Sequence, residues 1–370
     1  MDAMFSYADE LGPARIIHIH EPSVDLKAIL VVDNVAMGPS IGGLRMAPDV
    51  SAAECFRLAR AMTLKNAAAG LRHGGGKSVL FGDPKMEKVR KEQLVRAMAC
   101  SLRHTHEYIF GPDMGTDEEC MAWVHDEIGR SVGLPRELGG IPLDELGATG
   151  WGMSHATDAA LDYCDLELDG ARMAVQGFGS VGMHAARFLA EKGAVLIAAA
   201  DSRGTIHQPQ GLQIEQLITI KQSGGSVIEY RPGTVLGCDE IVDIECEIWI
   251  PAARPDVINI NNVHRLKTRL VVQGANIPVT EEAEKVLHEC GTLCIPDFIA
   301  NAGGVICAAM EYQKASEGAA FTAIAEKVHR NTEQVLEQSR RERVLPRTAA
   351  MQMAVARVRG AMGLRRWSIF

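Results

Sequence analysis

Residues 172–182 read RMAVQGFGSVG, and this stretch determines the predicted fold of the second half of the chain. A buried-strand run ends there in three glycines spaced as GxGxxG, and a helical run, 183–192, follows. A second apolar run, 194–200, ends at Asp201, nineteen residues after Gly182. Strand, glycine turn, helix and second strand in this order are typical of a dinucleotide-binding unit. They predict an α/β fold with a Rossmann-type, doubly wound sheet.

The turn itself is predicted to bind a dinucleotide cofactor, because its first two glycines would let backbone N–H groups approach a pyrophosphate. Asp201 would accept hydrogen bonds from ribose hydroxyls and repel a 2′-phosphate, which favours NAD. Arg203 could turn toward a 2′-phosphate, so NADP stays open as the alternative. The predicted cofactor-binding residues of the turn are Gly177, Phe178, Gly179, Ser180, Val181 and Gly182.

A second informative stretch lies upstream at 62–79, MTLKNAAAGLRHGGGKSV. Lys65 is predicted on a helix that Gly70 ends, and Lys77 at the start of a strand. The glycines at 74–76 have no Cβ, so we expect them to let a small ligand approach Lys77 closely. The lysine pair predicts a general base beside a carboxylate-binding cation. The alternative is two surface lysines beside a glycine turn.

Asp113 is the third candidate catalytic residue. Thr116 and Glu119 have the spacing of a capping box, which would place Asp113 just before a helix N-terminus and favour its ionised form. Ser51 and Glu54 have the same spacing and predict the start of the helix that carries Lys65. The alternative for Asp113 is an aspartate that only orders a turn.

Length and composition narrow the class of protein. A chain of 370 residues favours two domains, and 47% hydrophobic with 23% charged residues is ordinary for a globular protein. The net charge of −9 argues against nucleic-acid binding. No apolar run reaches about 18 residues, so no membrane span is expected. The start, Met1–Met4, has neither the basic nor the apolar region of a secretory signal.

Cysteine and histidine patterns give no indication of a metal. The nine cysteines lack paired metal-ligand spacing, and Cys290 and Cys294 are the nearest two in the chain. We expect buried free thiols in a reducing cytoplasm, with a disulfide or metal ligation as the alternatives. The twelve histidines form no HxxxH or HExxH pattern, so no metal is predicted.

Several motifs, taken together and in order, resemble the glutamate/leucine/phenylalanine/valine dehydrogenase family. The resemblance spans nearly the whole chain. It implies an N-terminal α/β substrate and oligomerisation domain, 1–145, completed by about 335–370, and an NAD(P)-binding domain, 146–334. It also implies a homo-oligomer. The motifs are GGLR at 42–45, GGGK at 74–77, PDMGT at 112–116, GFGSVG at 177–182 and NAGGV at 301–305.

The family resemblance implies reversible oxidative deamination of an L-amino acid to a 2-oxo acid and ammonium with NAD or NADP. Lys65 would bind the α-carboxylate, Lys77 would act as the base, and Asp113 would exchange protons with the amino group. Gly42 and Gly43, in a predicted loop, would bring backbone against the substrate. The other contacts that the resemblance implies are Asn301 with the substrate, Thr149 near the carboxamide, and Ala252 and Asn276 along the nicotinamide ribose.

Substrate preference is predicted from the side-chain end of the site. Ile41 stands where family members that use glutamate place a lysine, and burying a carboxylate without a cation costs several kcal/mol. Gly111, Val305 and Ala308 would complete an apolar, roomy pocket. This pattern favours a branched-chain or aromatic amino acid.

Two other hypotheses remain. The first is a glutamate dehydrogenase whose side-chain carboxylate meets Arg72, His73 or another cation, although both residues could equally be solvated loop residues. The second is a nucleotide-binding regulator without catalytic activity.

Overall fold

The computed structural model describes residues 6–365, so Met1–Met4 lie outside the described part. It contains two β-sheets with helices packed against them, which confirms the predicted α/β class. The strands are β1 Arg15–Glu21, β2 Leu26–Asn34, β3 Ser40–Ala47, β4 Gly74–Phe81, β5 Tyr108–Pro112, β6 Arg172–Gln176, β7 Val195–Asp201, β8 Gly204–His207, β9 Thr234–Leu236, β10 Ile248–Pro251, β11 Leu270–Val272 and β12 Leu293–Ile295. The helices are α1 Ala52–Ala68, α2 Lys88–Ser101, α3 Glu118–Ile128, α4 Leu143–Leu146, α5 Ala148–Cys164, α6 Ser180–Ala190, α7 Ile214–Gln222, α8 Glu281–Glu289, α9 Asp297–Ala300, α10 Gly303–Tyr312, α11 Glu317–Glu342 and α12 Pro346–Leu364.

The first compact unit contains the chain up to Pro142, Val305–Ala320 and the chain from Met351 onward. Its sheet has the order β1-β2-β4-β3-β5. Side chains alternate across β2: Ile29 and Val31 pack on the face that α1 covers, and Leu30 and Val32 pack against α2 and α3. The sheet is therefore buried on both faces, and β3 lies between the strands that carry Lys77 and lead to Asp113.

The second unit contains Leu143–Gly304 and Phe321–Ala350. Its sheet has the order β12-β11-β10-β6-β7-β8-β9, in which β8 is antiparallel to both of its neighbours, β7 and β9, and the pairs from β12 to β7 are parallel. The segment β6-α6-β7 is the predicted strand–turn–helix–strand unit. The direction of winding reverses between β6 and β10, which is where dinucleotides bind in sheets of this type.

Two local predictions differ from the structure. The predicted loop that carries Gly42 and Gly43 is strand β3, which pairs in parallel with both β4 and β5. The strand that carries Lys77 begins earlier than expected, at Gly74, because the glycines pair with β2 and β3. Glycine is a poor strand former in isolation, so the sequence alone favoured a loop at both places.

The unit boundaries also differ from the predicted domain bounds of 145 and 335. Glu311 belongs to the first unit, where its carboxylate accepts hydrogen bonds from the backbone N–H groups of Leu134, at 3.1 Å, and Ile141, at 2.9 Å. Arg347 belongs to the second unit, where it bonds to Glu284 and Asp297. The chain therefore passes between the units four times, after Pro142, Gly304, Ala320 and Ala350. The assignment of substrate to one unit and NAD(P) to the other stays a prediction.

Within residues 6–365, no helix is both long enough and apolar enough to cross a membrane. The nine cysteines are free thiols. The expectation that they are buried is wrong for three of them, because Cys100, Cys238 and Cys290 lie on solvent-facing positions of helices or their ends. The described residues contain no group of three or more His, Cys, Asp or Glu side chains placed to hold a metal ion.

Candidate active site

Lys77 and Asp113 form an ion pair at the centre of the first unit's sheet. Lys77 projects from β4, Asp113 directly follows β5, and Lys77 Nζ contacts Asp113 Oδ2. Lys77 is only 6% exposed, and the Asp113 side chain is 21% exposed. A buried ammonium beside a carboxylate excludes the alternative that Lys77 is an ordinary surface lysine.

Gly43 makes room for this pair. A Cβ at Gly43 would lie 2.8 Å from the Cβ of Asp113 and 3.0 Å from Lys77 Nζ, closer than packed side chains tolerate. Gly42 has a different role, because a Cβ there would lie 1.8 Å from the backbone oxygen of Gly76. Gly42 therefore allows β3 and β4 to pack, and Gly43 allows the charged pair to form.

Asp113 is ionised for a different reason from the one predicted. Burial raises the pKa of Asp113, but Lys77 and Arg45 outweigh burial and hold the pKa below its usual value. Arg45 Nε lies 3.3 Å from Asp113 Oδ2, and Arg45 Nη1 lies 2.6 Å from Glu54 Oε1. Two cations, Arg45 on the neighbouring strand β3 and Lys77 one strand further on β4, keep this carboxylate charged together with the backbone N–H of Met114.

The predicted capping box after Asp113 is wrong. Helix α3 begins at Glu118, and its N-cap is Asp117, whose side chain accepts a hydrogen bond from the Cys120 N–H. Thr116 instead accepts from the Asp113 N–H at 3.0 Å and donates to the Leu44 oxygen at 2.7 Å. Thr116 thus fixes the backbone at Asp113, and the helix dipole is not the source of its ionisation.

The cap of α1 is confirmed in part. Ser51 accepts a hydrogen bond from the Glu54 N–H at 3.2 Å, as predicted. The Glu54 side chain bonds to Arg45 instead of returning to the cap. Sequence reasoning missed Arg45, although strand alternation places it on the same face as Gly43, two residues earlier.

The glycine run before Lys77 serves packing and not ligand access, which corrects the prediction. A Cβ at Gly75 would lie 1.9 Å from the Thr63 nitrogen in α1, and a Cβ at Gly74 would lie 1.8 Å from the Asn34 oxygen. The glycines let α1 and β2 approach the β4 backbone. This contact places α1, and with it Lys65, directly against the strand of Lys77.

Lys65 is half-buried in the last turn of α1. The helix ends at Ala68, and Gly70 follows in the left-handed region with φ of 64°, which confirms the predicted stop. Arg357 of α12 donates from Nη1 to the backbone oxygens of Ala67, at 3.1 Å, and Ala68, at 2.7 Å. A cation at these carbonyls stabilises the helix end.

The predicted substrate-pocket residues of the first unit lie on three elements. Ile41 is 5% exposed on β3, on the same face as Gly43. Gly111 lies on β5, where an added Cβ would lie 3.4 Å from Val132 Cγ2 and 3.9 Å from the Gly42 oxygen, both ordinary contact distances. Val305 and Ala308 are half-buried and three residues apart on α10, so they share a helix face.

The two cations considered for a relocated carboxylate contact differ. Arg72 is exposed, as a solvated loop residue would be. His73 is buried and not solvated, with Nδ1 3.1 Å from the Pro39 oxygen, and burial lowers its pKa. A neutral buried imidazole does not supply the positive charge that a glutamate side chain needs.

The glycines at 177–182 have three distinct roles in the second unit. Gly177 has φ of 97°, and a Cβ there would lie 2.6 Å from the Ala253 nitrogen, so glycine is required. Gly179 is exposed at the N-cap of α6, with nothing within 4 Å of its Cβ position. Gly182 packs against the Gly177 oxygen, which its Cβ would approach to 2.2 Å. This arrangement leaves open space at a helix N-terminus.

Not every residue of the turn is available to a ligand. The N–H groups of Gly177, at 3.0 Å, and Phe178, at 2.8 Å, both donate to the Ala200 oxygen, and the Phe178 side chain is buried. These two N–H groups are therefore already paired, and the approach of backbone N–H groups to a pyrophosphate stays a prediction for the later residues of the turn. Ser180 is exposed and Val181 half-buried, so these two and Gly179 form the accessible part.

Asp201 ends β7 as predicted, but its carboxylate is already occupied. Oδ1 accepts from the Arg203 N–H at 2.9 Å and Ser226 Oγ at 2.8 Å. Oδ2 accepts from Lys221 Nζ at 2.8 Å and the Val227 N–H at 3.0 Å. Burial raises the pKa of Asp201, but these donors outweigh burial and lower it. Four donors use about all the acceptor capacity of a carboxylate.

The remaining predicted residues gather at the β10, β11 and α5 ends within the second unit. The Ala252 N–H donates to the Gln176 oxygen at 2.7 Å, beside the glycine turn. Asn301 Nδ2 lies 3.2 Å from the Gly274 oxygen and 3.2 Å from Oδ1 of Asn276, which is exposed. Asn301 thus holds the loop that carries Asn276. Thr149, at the start of α5, has Oγ1 3.4 Å from the Cβ position of Gly304.

Sequence reasoning also missed a buried charge network in the second unit. Arg347 bonds to Glu284 at 2.7 Å, to Asp297 at 2.9 Å and to Gln273 at 3.0 Å. Asp297 in turn accepts from the Ile277 N–H at 2.8 Å, next to Asn276. No local pattern reveals the network, because its members lie up to 74 residues apart.

Comparisons with known proteins follow the same division of the chain. The family model described as Glu/Leu/Phe/Val dehydrogenase, dimerisation domain, matches residues 13–130. The model described as Glutamate/Leucine/Phenylalanine/Valine dehydrogenase matches residues 139–366. Together these matches cover most of the chain.

Three relatives carry a more specific description. Glutamate dehydrogenase of Aeropyrum pernix is 36% identical, over 90% of this chain and 85% of its own. NADP-specific glutamate dehydrogenase of Saccharolobus shibatae is 35% identical, over 77% and 70%. NAD-specific glutamate dehydrogenase of Staphylococcus aureus is 31% identical, over 90% and 85%.

A solved structure extends the likeness to three dimensions. The hetero-hexameric glutamate dehydrogenase from Thermus thermophilus, in a form with bound Leu, superposes with a TM-score of 0.83 at 29% identity. The superposition covers 96% of this chain and 91% of that one.

Proposed function

The chain belongs to the glutamate/leucine/phenylalanine/valine dehydrogenase family, and from this premise we propose that Lys77, Asp113 and Lys65 carry out reversible oxidative deamination of an L-amino acid. The protein is an amino-acid dehydrogenase that acts on a CH–NH2 group with a nicotinamide dinucleotide. The observation that supports the residue roles is the buried Lys77–Asp113 pair beside Gly43.

Each residue has a separate role in this proposal. Lys65 binds the substrate α-carboxylate. Asp113, held ionised, accepts a proton from the substrate amino group. The Lys77 ammonium first releases a proton to solvent, and the neutral amine then removes a proton from the water that adds to the imine carbon. In the reverse direction the same groups return these protons. Positioned proton transfer of this kind contributes a factor of about 10² to 10⁴ to the rate.

The second unit fits a dinucleotide at the turn 177–182. The open space at Gly179 lies at the N-terminus of α6, where unpaired N–H groups and the helix dipole favour a pyrophosphate. Gly179, Ser180 and Val181 would hold the phosphates, and Asn276 and Thr149 would lie along the nicotinamide end. When bound, the dinucleotide supplies the hydride acceptor, and the chain supplies binding and orientation.

We propose NAD as the preferred cofactor, with NADP as a weaker one. The Asp201 charge opposes a 2′-phosphate, but Lys221 and three other donors already satisfy it, so the opposition is reduced. The relatives include proteins described as specific for either cofactor.

Replacement of Asp201 by serine is expected to raise the ratio of kcat/KM with NADP to that with NAD by about tenfold, because a negative charge is lost and Lys221 is released. The ratio is measured from steady-state rates with each cofactor at one amino-acid concentration. Asp243→Ser, which removes an exposed carboxylate paired with Arg265 in the same unit, is the control. A ratio that stays at the wild-type value would mean that another residue reads the ribose.

We propose an apolar amino acid as the substrate, branched-chain or aromatic. Ile41 is buried on the face that carries the Lys77–Asp113 pair, and His73 is neutralised by burial. The second candidate is glutamate, which the descriptions of the relatives favour. Arg72, which is exposed, or another cation would then have to meet the side-chain carboxylate.

A substrate panel separates these candidates. With purified protein and both cofactors, kcat/KM for leucine or phenylalanine is expected to exceed that for glutamate by about a hundredfold, the effect of burying an uncompensated carboxylate. Glutamine, which has nearly the size of glutamate without its charge, separates charge from volume. Glutamate leading by a similar factor would reject the apolar pocket and support the second candidate.

We also propose a homo-oligomer in a reducing cytoplasm. The matched N-terminal model is described as a dimerisation domain, and the Thermus thermophilus protein is described as hetero-hexameric, so both support an oligomer. The cysteines of the chain are free thiols, and free thiols are typical of proteins in a reducing compartment.

A further inference from the structure

Four charged side chains of alternating sign form a chain of contacts in the first unit. Glu54 at the start of α1 bonds to Arg45 on β3, Arg45 bonds to Asp113 after β5, and Asp113 bonds to Lys77 on β4. The proposed reaction uses only the last two. Glu54 and Arg45 therefore have no role yet, although they occupy half-buried positions next to the reacting groups.

The geometry of Arg45 is directional. Its Nε lies 3.3 Å from Asp113 Oδ2, the same oxygen that Lys77 contacts, while its Nη1 lies 2.6 Å from Glu54 Oε1. Burial lowers the pKa of Arg45, but Asp113 and Glu54 outweigh burial and raise it, so the guanidinium stays charged. A planar guanidinium fixed at two points orients a carboxylate, which a single flexible ammonium does not.

We propose that Arg45, anchored by Glu54, is a positioning residue that holds Oδ2 of Asp113 beside Lys77 and so directs the other carboxylate oxygen, Oδ1, to the substrate amino group. This inference rests on the proposed roles of Lys77 and Asp113. It assigns the start of α1 a task in the reaction, because Ser51 fixes Glu54 at the helix N-terminus.

The inference makes a prediction about pH dependence. The charged and titratable groups facing Asp113 are Lys77 on β4, Arg45 on β3, Glu54 on α1 through Arg45, and Tyr108 on β5, whose pKa burial raises so that it stays neutral. Asp113 accepts a proton only when ionised, so activity falls as pH drops through its pKa. Loss of Arg45 raises that pKa and moves the acidic limb of kcat/KM to higher pH. Loss of the Glu54 charge moves the limb the other way.

The experiment compares Arg45→Met, Arg45→Lys and Glu54→Gln by kcat, KM and the pH profile of kcat/KM. Arg45→Met should lower kcat by about thirtyfold to a hundredfold, the scale of a displaced reacting group, and move the acidic limb up by about one pH unit. Arg45→Lys should restore the limb while kcat stays low, because a lysine keeps the charge without the two-point hold. Glu54→Gln still accepts a hydrogen bond from Arg45, so its kcat should stay within about threefold of the wild type. The midpoint of the acidic limb of its kcat/KM profile should fall by about half a pH unit.

Arg60→Met is the matched control. Arg60 also joins α1 to the same sheet, through ion pairs with Asp9 and Asp33, but it does not contact Asp113. In Arg60→Met the midpoint of the acidic limb of kcat/KM should have the wild-type pH. If Arg45→Met fails to fold, the downward shift in Glu54→Gln carries the test, and an unchanged limb there would overturn the inference.

The outcomes also separate this inference from the proposed function. If Arg45→Met resembles the Arg60→Met control while Asp113→Asn abolishes turnover, the positioning role is rejected and the proposed chemistry stands. If Asp113→Asn keeps the wild-type kcat, the proposed function fails first, whatever Arg45 does.

Discussion

Replacement of Lys77 by alanine is expected to lower kcat for amino-acid oxidation by about a thousandfold, within the range that a positioned general base contributes. The Kd of NADH should stay close to that of the wild type, because the predicted dinucleotide-binding residues of the turn lie in the other compact unit. The loss of kcat without loss of cofactor binding identifies a group that acts on the reacting carbon. Steady-state rates and a fluorescence titration with NADH measure the two quantities.

Two further variants sharpen the test of Lys77. Lys27→Ala, on the neighbouring strand β2, removes an exposed lysine paired with Asp25 and should retain the wild-type kcat. Lys77→Arg keeps a cation for Asp113 but cannot release its proton, so its kcat should stay low. Recovery of most of the activity by arginine would make Lys77 an electrostatic partner of Asp113 instead of a base. A wild-type kcat in Lys77→Ala would contradict the assignment altogether.

Replacement of Arg347 by methionine is expected to have the largest effect on stability. Glu284 and Asp297 are buried, and without Arg347 their charges lose their shared cation. Removing one partner of a buried ion pair costs about 3–5 kcal/mol. At 2–4 °C for each kcal/mol in a domain of about 150–250 residues, Tm should fall by roughly 10 °C. Thermal scans at one protein concentration and one scan rate measure the difference.

The cause of that loss is tested by a compensated variant. Arg347→Met combined with Glu284→Gln and Asp297→Asn removes the uncompensated charges and should recover at least half of the lost Tm. Arg341→Met, which removes an exposed arginine beside Glu342, should change Tm little. If the triple variant is as unstable as Arg347→Met alone, packing of the guanidinium against Phe298 carries the effect and the charges do not.

Much of the fold followed from local sequence patterns. The strand, glycine turn and helix at 172–190 form where the hydrophobic period changes from two to about 3.6, and Gly177 and Gly182 have the turn and packing roles expected of that motif. Gly70 follows the end of α1 with a left-handed φ of 64°, as predicted. Where one short segment determines the conformation, the prediction holds.

The parts that could not be predicted depend on residues distant in sequence. In the sequence Gly74 and Gly75 look like a ligand-binding loop. In the structure the backbones of β2 and α1 pack against them so closely that a Cβ would not fit. In the sequence Asp201 looks like a free acceptor for ribose hydroxyls. In the structure Lys221 and Ser226, 20 and 25 residues later, already donate hydrogen bonds to its carboxylate. Arg45 gains its partners only because β3 inserts between β4 and β5. Gly74, Gly75 and Asp201 were singled out from the sequence without their neighbours, and the role of Arg45 was missed.

The repeated passage of the chain between the two units has a consequence for biosynthesis. Residues from Met351 onward are synthesised after the whole second unit, yet they belong to the first unit, and Arg357 among them bonds to the end of α1. The first unit therefore cannot complete its core until the second unit and α12 have been synthesised, unlike domains that fold in order of synthesis. A product ending at Pro142 would lack two segments of its unit, whereas a circular permutant that places α12 before Arg15 would need synthesis only as far as Ala320 to supply the rest of the first unit.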